Sequence, residues 1–297
     1  MTTKSVFAPD LLAGQRILIT GGGTGLGRGV AKHLTAHGAE VHLWGRRERV
    51  LAEAAAEAGE PGTVHFQTVD VREGDLVDAA MGELWDRHGP LTGVLNNAAA
   101  NFIAPTASIS HRAFEAISST VMNGSFNTTN AAGKRWIDQN LPGVVLSTLT
   151  TWVWSGSAFV VPSAMAKAAV HAMTMSLAVE WARYGIRLNA LAPGPIPTDY
   201  AWEMLNPTDK SGVGATQADQ VPMGRMGTVE ELANLTMFLF SDACAYLTGE
   251  TIAMDGGQRL AGPGTFAGLT SLSDQDWREI KEASQAASAA AKAERSV

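Results

Sequence analysis

The sequence predicts an α/β fold: a doubly wound, parallel, seven-stranded sheet within a single domain. Three observations predict it. Apolar, β-branched runs alternate with helix-length segments along most of the chain. The runs are nearly continuous in hydrophobicity, as strands covered on both faces require. A glycine-rich turn, ITGGGTGLGRG, directly follows the first run and opens the first helical segment.

In chain order, the first fourteen residues read as a loose arm. QRILIT is the first strand, and a helix begins near Gly25. EVHLW precedes a helix near Arg46, and TVHFQTVD precedes one near Glu73. GVLNNA leads to a helix from about Ser110, and GVVLSTL to one from about Pro162. RLNALAP is the sixth strand, Thr228 starts the next long helix, and TIAMDGG closes the sheet. Such alternation implies right-handed crossovers. Residues 195–222 carry four prolines and little periodicity. They read either as a lid over a ligand at the strands' C-terminal edge or as a surface loop. Residues 261–297 form a C-terminal extension, rich in Ala, Ser, Glu and Lys from Ser273 onward. The expected layout is an arm over 1–14, one domain over 15–260 and the extension.

Composition narrows the function classes. The 297 residues suffice for one large α/β domain, and the formal net charge of −7 offers no basic surface for nucleic acid. Cys244 is the single cysteine and reads as a small core residue. No Cys/His set has the local spacing of a zinc site, so no metal is expected. The opening stretch MTTKSVFAPDLLAGQ has no signal-type apolar core, and no apolar run reaches the roughly 18 residues that span a bilayer. The chain ends in RSV rather than a peroxisomal address. A cytoplasmic protein without membrane association is expected.

The glycine turn has the pattern T-G-x-x-x-G-x-G, through Gly21, Gly25 and Gly27. Glycines let the backbone turn tightly and approach a pyrophosphate seated on the helix N-terminus. A Rossmann-type dinucleotide site is therefore expected from Gly21, Gly23, Thr24, Gly25, Leu26 and Gly27. Asn97 and Ala98 after strand four join it, with Pro193, Gly194 and Ile196 after strand six. NAD sites place an acid at the end of strand two, but here the sequence is LWGRR. Arg46 and Arg47 can fork onto a 2′-phosphate, which predicts NADP(H); both can also be solvated charges at a helix start. Asp70, with Val71, either reaches the adenine edge or caps the next helix.

TGGGTGLG, NNAA, the lysine helix, the PGPI turn and the closing DGG fall in one order. Together they resemble the short-chain dehydrogenase/reductase family over roughly residues 13 to 260. NNAAANFIAPT, AFVVPSAMAK, LAVEWARYGIRLNALAPGPI and GRMGTVEELANL resemble its 2,4-dienoyl-CoA reductases more than ordinary ketoreductases. The resemblance implies NADPH-dependent reduction of conjugated acyl-CoA thioesters, with an acyl-CoA as partner molecule. It also implies a homotetramer, or at least a dimer, paired through the helices near Ser110 and Pro162.

By the same resemblance, Lys167 holds the nicotinamide ribose, and Thr150 stands at the family's catalytic serine. Ser163 stands at its tyrosine. The alternative tyrosine position of the mitochondrial branch falls on Trp152, so neither position carries a phenol. Asn123 lies two places beyond the usual helix-five asparagine position, Val121. Asn101 matches the amide that binds the thioester oxygen, or is a turn-forming asparagine. Phe102 either lines an acyl channel or fills a core, and Arg72 either contacts CoA or is a surface charge. Ser110 and Trp152 complete the expected substrate contacts. The peroxisomal branch holds a water with the lysine and an aspartate one turn later; here that position is His171, which shares a helix face with Lys167 or is simply packed. Tyr200 in the lid stretch is a further candidate acid.

A serine hydroxyl is a poor acid near neutral pH, and an indole N–H donates a hydrogen bond but not a proton. Ketone reduction is therefore disfavoured, whereas a conjugated C=C needs mainly oxyanion donors. Two alternatives stay open: another short-chain oxidoreductase acting on a carbonyl or hydroxy compound, and a catalytically silent NADP(H)-binding sensor or scaffold.

Overall fold

All seven apolar runs become strands: β1 (Arg16–Thr20), β2 (Glu40–Gly45), β3 (Val64–Thr68), β4 (Gly93–Asn96), β5 (Gly143–Thr148), β6 (Ile186–Pro193) and β7 (Thr251–Met254). The structure is a computed structural model that describes residues 6–60, 62–198, 218–262, 273–276 and 278–280. The strands form one parallel sheet in the order β3-β2-β1-β4-β5-β6-β7. The order reverses between β1 and β4, and the crevice outside the C-terminal ends of those strands is where such sheets bind ligands.

The helices are α1 (Gly25–Ala36), α2 (Glu48–Ala58), α3 (Gly74–His88), α4 (His111–Ser118), α5 (Gly124–Asp138), α6 (Trp152–Ser155), α7 (Val161–Trp181), α8 (Val229–Phe240) and α9 (Gln258–Ala261). Period-two alternation along the strands divides the core into two layers. Ile17, Ile19, Val41 and Leu43 face α1, α2 and α8. Leu18, Trp44, Val94 and Val145 face the opposite way, onto α3, α5 and α7. The edge strands β3 and β7 are the exceptions to near-continuous burial, because each has one side without a neighbouring strand.

Two expectations need correcting. The arm is pinned over residues 6–14: Leu12 is fully buried and its N–H donates to the His37 carbonyl. The helix expected from Ser110 is broken in its middle by a π-turn, Ser119–Asn123, before it resumes as α5. The extra residue of a π-turn shifts the side-chain phase of everything after it, and Asn123 is turned to the exposed side. Residues 199–217, which include most of the expected lid and Tyr200, lie outside the described residues, as does most of the C-terminal extension. No described helix is long and apolar enough to cross a membrane.

Candidate active site

A cleft of about 930 Å³ opens at the C-terminal ends of β1 to β6. Its floor is the glycine turn. Gly21 (φ +66°) and Gly25 (φ +54°) adopt left-handed backbone that other residues rarely tolerate. A Cβ on Gly27 would meet the Gly21 carbonyl at 2.5 Å, so Gly27 lies behind the turn and lets α1 sit close against it. Thr24 caps α1 without a side-chain hydrogen bond, which leaves the first-turn amides facing the cleft as an anion cradle.

NNAA is fastened to this turn. Thr20 Oγ1 accepts the N–H groups of Asn97 (3.0 Å) and Ala98 (3.1 Å), and Asn97 Nδ2 donates to the carbonyls of Thr20 and Gly21. The Asn97 side chain thus shapes the turn, while its backbone borders the cleft. The open glycine cradle and the uncapped helix end fit a dinucleotide. Gly21, Gly23, Thr24, Gly25, Leu26, Asn97, Ala98, Pro193, Gly194 and Ile196 line the cleft as expected.

Arg46 and Arg47 line the cleft at the end of β2, both exposed. Asp70 and Val71 line it beside them. Asp70 does not cap α3, whose cap is Glu73. The Arg72 guanidinium clasps Asp70 through Nε (2.9 Å) and Nη2 (2.5 Å) and holds its carboxyl below the usual range, with Arg46 adding to the effect. Arg72 does not line the cleft and borders a separate depression with Met122, Asn123 and Phe126.

At the other end of the cleft stand Thr150, Trp152, Ser163, Lys167 and Asn101. Lys167 is buried, its ammonium donates to the Thr148 carbonyl, and burial pushes its pKa down to about 8. Thr150 Oγ1 is buried without a hydrogen-bond partner, and Ser163 is 3 % exposed. Asn101 Oδ1 accepts the Phe102 N–H at 2.9 Å, so this amide makes a local turn, and the residue lines the cleft. The turn-forming reading of Asn101 is thus met, at a position on the cleft wall.

Besides Arg72, three expected residues lie elsewhere. Phe102 packs against Val121, Leu149, Ala166 and Val170, so it fills a core. Ser110 caps α4, accepting the Ala113 N–H at 3.2 Å. His171 does not line the cleft: its Nδ1 lies 2.8 Å from Thr251 Oγ1 on β7, and its ring meets Trp154 edge-on. Four residues of helix advance about 400° around the axis, so the shared face is offset by about 40°, enough to send this ring to the sheet edge.

Arg259 was missed by the sequence reading. It lines the cleft from α9, its guanidinium stacks 4.7 Å over the Trp154 ring, and its Nε is buried without a partner. The available signal was a cation one step past Gln258, directly after the closing DGG of β7.

Residues 21–259 match the family described as Enoyl-(Acyl carrier protein) reductase. The chain is 41 % identical over 246 residues, 82 % of this chain and 96 % of the relative, to a probable (2E)-enoyl-CoA-producing 2,4-dienoyl-CoA reductase of Bacillus subtilis (strain 168). The chain belongs to the short-chain dehydrogenase/reductase family. It is 37 % identical over 274 residues, 90 % of this chain and 88 % of the relative, to a probable (3E)-enoyl-CoA-producing 2,4-dienoyl-CoA reductase of Caenorhabditis elegans. Among solved structures it is similar to a gluconate 5-dehydrogenase from Burkholderia cenocepacia in complex with NADP and tartrate. There the identity is 30 %, the TM-score 0.78, and the coverage 84 % of this chain and 97 % of that one. As a short-chain dehydrogenase/reductase the chain is an oxidoreductase, and Ser163 and Trp152 line its cleft.

Proposed function

We propose that this reductase uses NADPH to reduce a conjugated 2,4-dienoyl-CoA, or a related 2-enoyl-CoA, in unsaturated fatty-acid oxidation. The observation that carries the reading is a cleft that keeps the buried Lys167 and the Asn101 donor but has no tyrosine at either expected position. Arg46 and Arg47, with no acid at the end of β2, favour the phosphorylated cofactor. Relatives named 2,4-dienoyl-CoA reductases support the substrate class.

When bound, the nicotinamide would supply the hydride. The chain's own residues serve the substrate. Reduction at a conjugated C=C moves negative charge along the chain to the thioester oxygen. Asn101 Nδ2 donates to that oxygen, and Lys167 adds positive potential from its buried position. Lys167 keeps further N–H donors beyond the one given to Thr148, and with the Ser163 and Thr150 hydroxyls it orients a water as the proton source for carbon. His171 would act only through an intervening group. Arg259 is positioned for an anionic portion of the substrate.

Asn101→Ala tests the site. Removing one oxyanion donor should lower kcat on a dienoyl-CoA by about 10²–10³-fold while leaving NADPH affinity unchanged. Arg46→Ala should raise the KM for NADPH by about 10–100-fold and leave that for NADH near its starting value. Tight NADPH binding with no turnover on dienoyl- and enoyl-CoA esters would favour a silent NADP(H)-binding protein instead.

A further inference from the structure

At the opposite end of the sheet from the cleft, four ligand-type side chains converge. Glu40 and His42 are two apart on β2 and so share a face. His42 is the register partner of His65 on β3, which puts the two imidazoles side by side. Helix α3 covers this face and ends at His88, its last residue, beside them. None of the four lines the active cleft.

The geometry centres on one carboxylate oxygen. Glu40 Oε1 lies 3.1 Å from His42 Nε2, 3.5 Å from His65 Nε2 and 3.7 Å from His88 Nδ1. All four ligand atoms lie within 4.8 Å of one another. Zinc bonds nitrogen and oxygen at about 2.0–2.2 Å in a tetrahedron, whose edges are then about 3.3–3.6 Å. The three separations from Glu40 bracket that edge, and the widest pair, within 4.8 Å, closes to it by a shift of about 1 Å. A hydrogen-bonded cluster does not need this arrangement, since one carboxylate oxygen does not accept well from three imidazoles at once.

The surroundings favour ligation. The other oxygen, Glu40 Oε2, accepts from Arg16 Nη2 at 3.0 Å, which fixes the carboxylate plane as an outer-shell partner does. His42 is buried and its ring stacks on that of His65, which fixes the position of its Nε2 beside Glu40. His65, His88 and Glu40 are each partly exposed, which leaves an entry path. Three imidazoles and one carboxylate suit a borderline divalent cation and leave no open position for catalysis.

We propose that Glu40, His42, His65 and His88 form a closed, structural site for a zinc-class divalent cation that clamps the edge strand β3 to β2 and to the end of α3. The proposal is independent of the catalytic reading. Local spacing in the sequence hides the set, because its members come from three elements.

Cobalt(II) titration of tag-free, chelator-treated full-length protein tests it. The proposal expects about one equivalent bound, with the intense visible absorption of four-coordinate cobalt, bleached by zinc, and a higher thermal midpoint with zinc than with chelator. His88→Ala, and separately Glu40→Gln, should abolish the four-coordinate spectrum and the zinc-dependent shift, while reductase turnover persists. His88→Ala is the safer variant, since its ring is partly exposed at a helix end. No stoichiometric binding at micromolar metal would overturn the proposal, as would a weak six-coordinate spectrum. Binding unchanged in both variants would also overturn it, by placing the metal at His33, His37, His111 or His171.

Discussion

Burial sets how Lys167 titrates. Its pKa falls from 10.5 to about 8, so it is charged at neutral pH with little margin. The folded pKa lies below the unfolded one, so between about pH 8 and 10.5 the unfolded chain binds the extra proton. Stability therefore rises with pH across that window, and below it the buried charge costs about 3 kcal/mol. Lys167→Met removes that cost and leaves the Thr148 carbonyl unpaired, which returns about 1 kcal/mol. Urea unfolding of the ligand-free protein at pH 7 should show the variant more stable by about 2 kcal/mol, with the gain shrinking toward pH 10 and turnover lost throughout. In the wild type, turnover should decline as pH passes about 8 rather than 10. Lys167 was legible through the family resemblance carried by AFVVPSAMAK, a stretch contiguous in sequence. Arg259 and the unpaired Thr150 hydroxyl were not legible in these roles, because only tertiary approach puts one on the Trp154 ring and buries the other.

Among the elements, α8 shows how local chemistry fixes a boundary. Thr228 Oγ1 accepts the Glu231 N–H at 3.1 Å, and Glu231 Oε2 accepts the Thr228 N–H at 2.9 Å, a reciprocal cap. Arg225 pairs with the same carboxylate at 2.6 Å. Thr228→Ala should cost about 1 kcal/mol and lower the thermal midpoint by about 2–4 °C, read by calorimetry, with turnover unchanged. The start of α8 was readable from TVEE for this reason. The break between α4 and α5 was not: a π-turn has no strong residue signature, and STVMN carries neither Gly nor Pro. The same break accounts for the placement of Asn123 in the outer depression and not in the cleft. The strands were the most legible part, since near-continuous apolar runs between turn residues leave few alternatives to a buried parallel sheet. Phe102 and His171 show the limit, because an apolar or helical position near a motif does not say which of two neighbouring surfaces takes the ring.

For the whole molecule, α5 and α7 leave an apolar face. Phe126 is 52 % exposed, Met165 55 % and Val179 82 %. Large apolar side chains left exposed on long helices are common at subunit contacts. The account expects a homotetramer, or at least a dimer, by light scattering, and a shift to smaller species in Val179→Glu with Phe126→Glu. A wild-type monomer at micromolar concentration would contradict it. The parallel sheet with its reversal between β1 and β4 places the cofactor end and the Lys167 end in one continuous cleft. Whether that cleft reduces a C=C or a C=O is decided by which substrate tolerates the missing phenol. The most direct measurement is NADPH oxidation by the wild-type protein with a trans,trans-2,4-dienoyl-CoA and, in parallel, with a 3-ketoacyl-CoA of the same chain length. The account predicts steady turnover of the dienoyl ester and little or none of the ketone; turnover of the ketone with an inert dienoyl ester would contradict it.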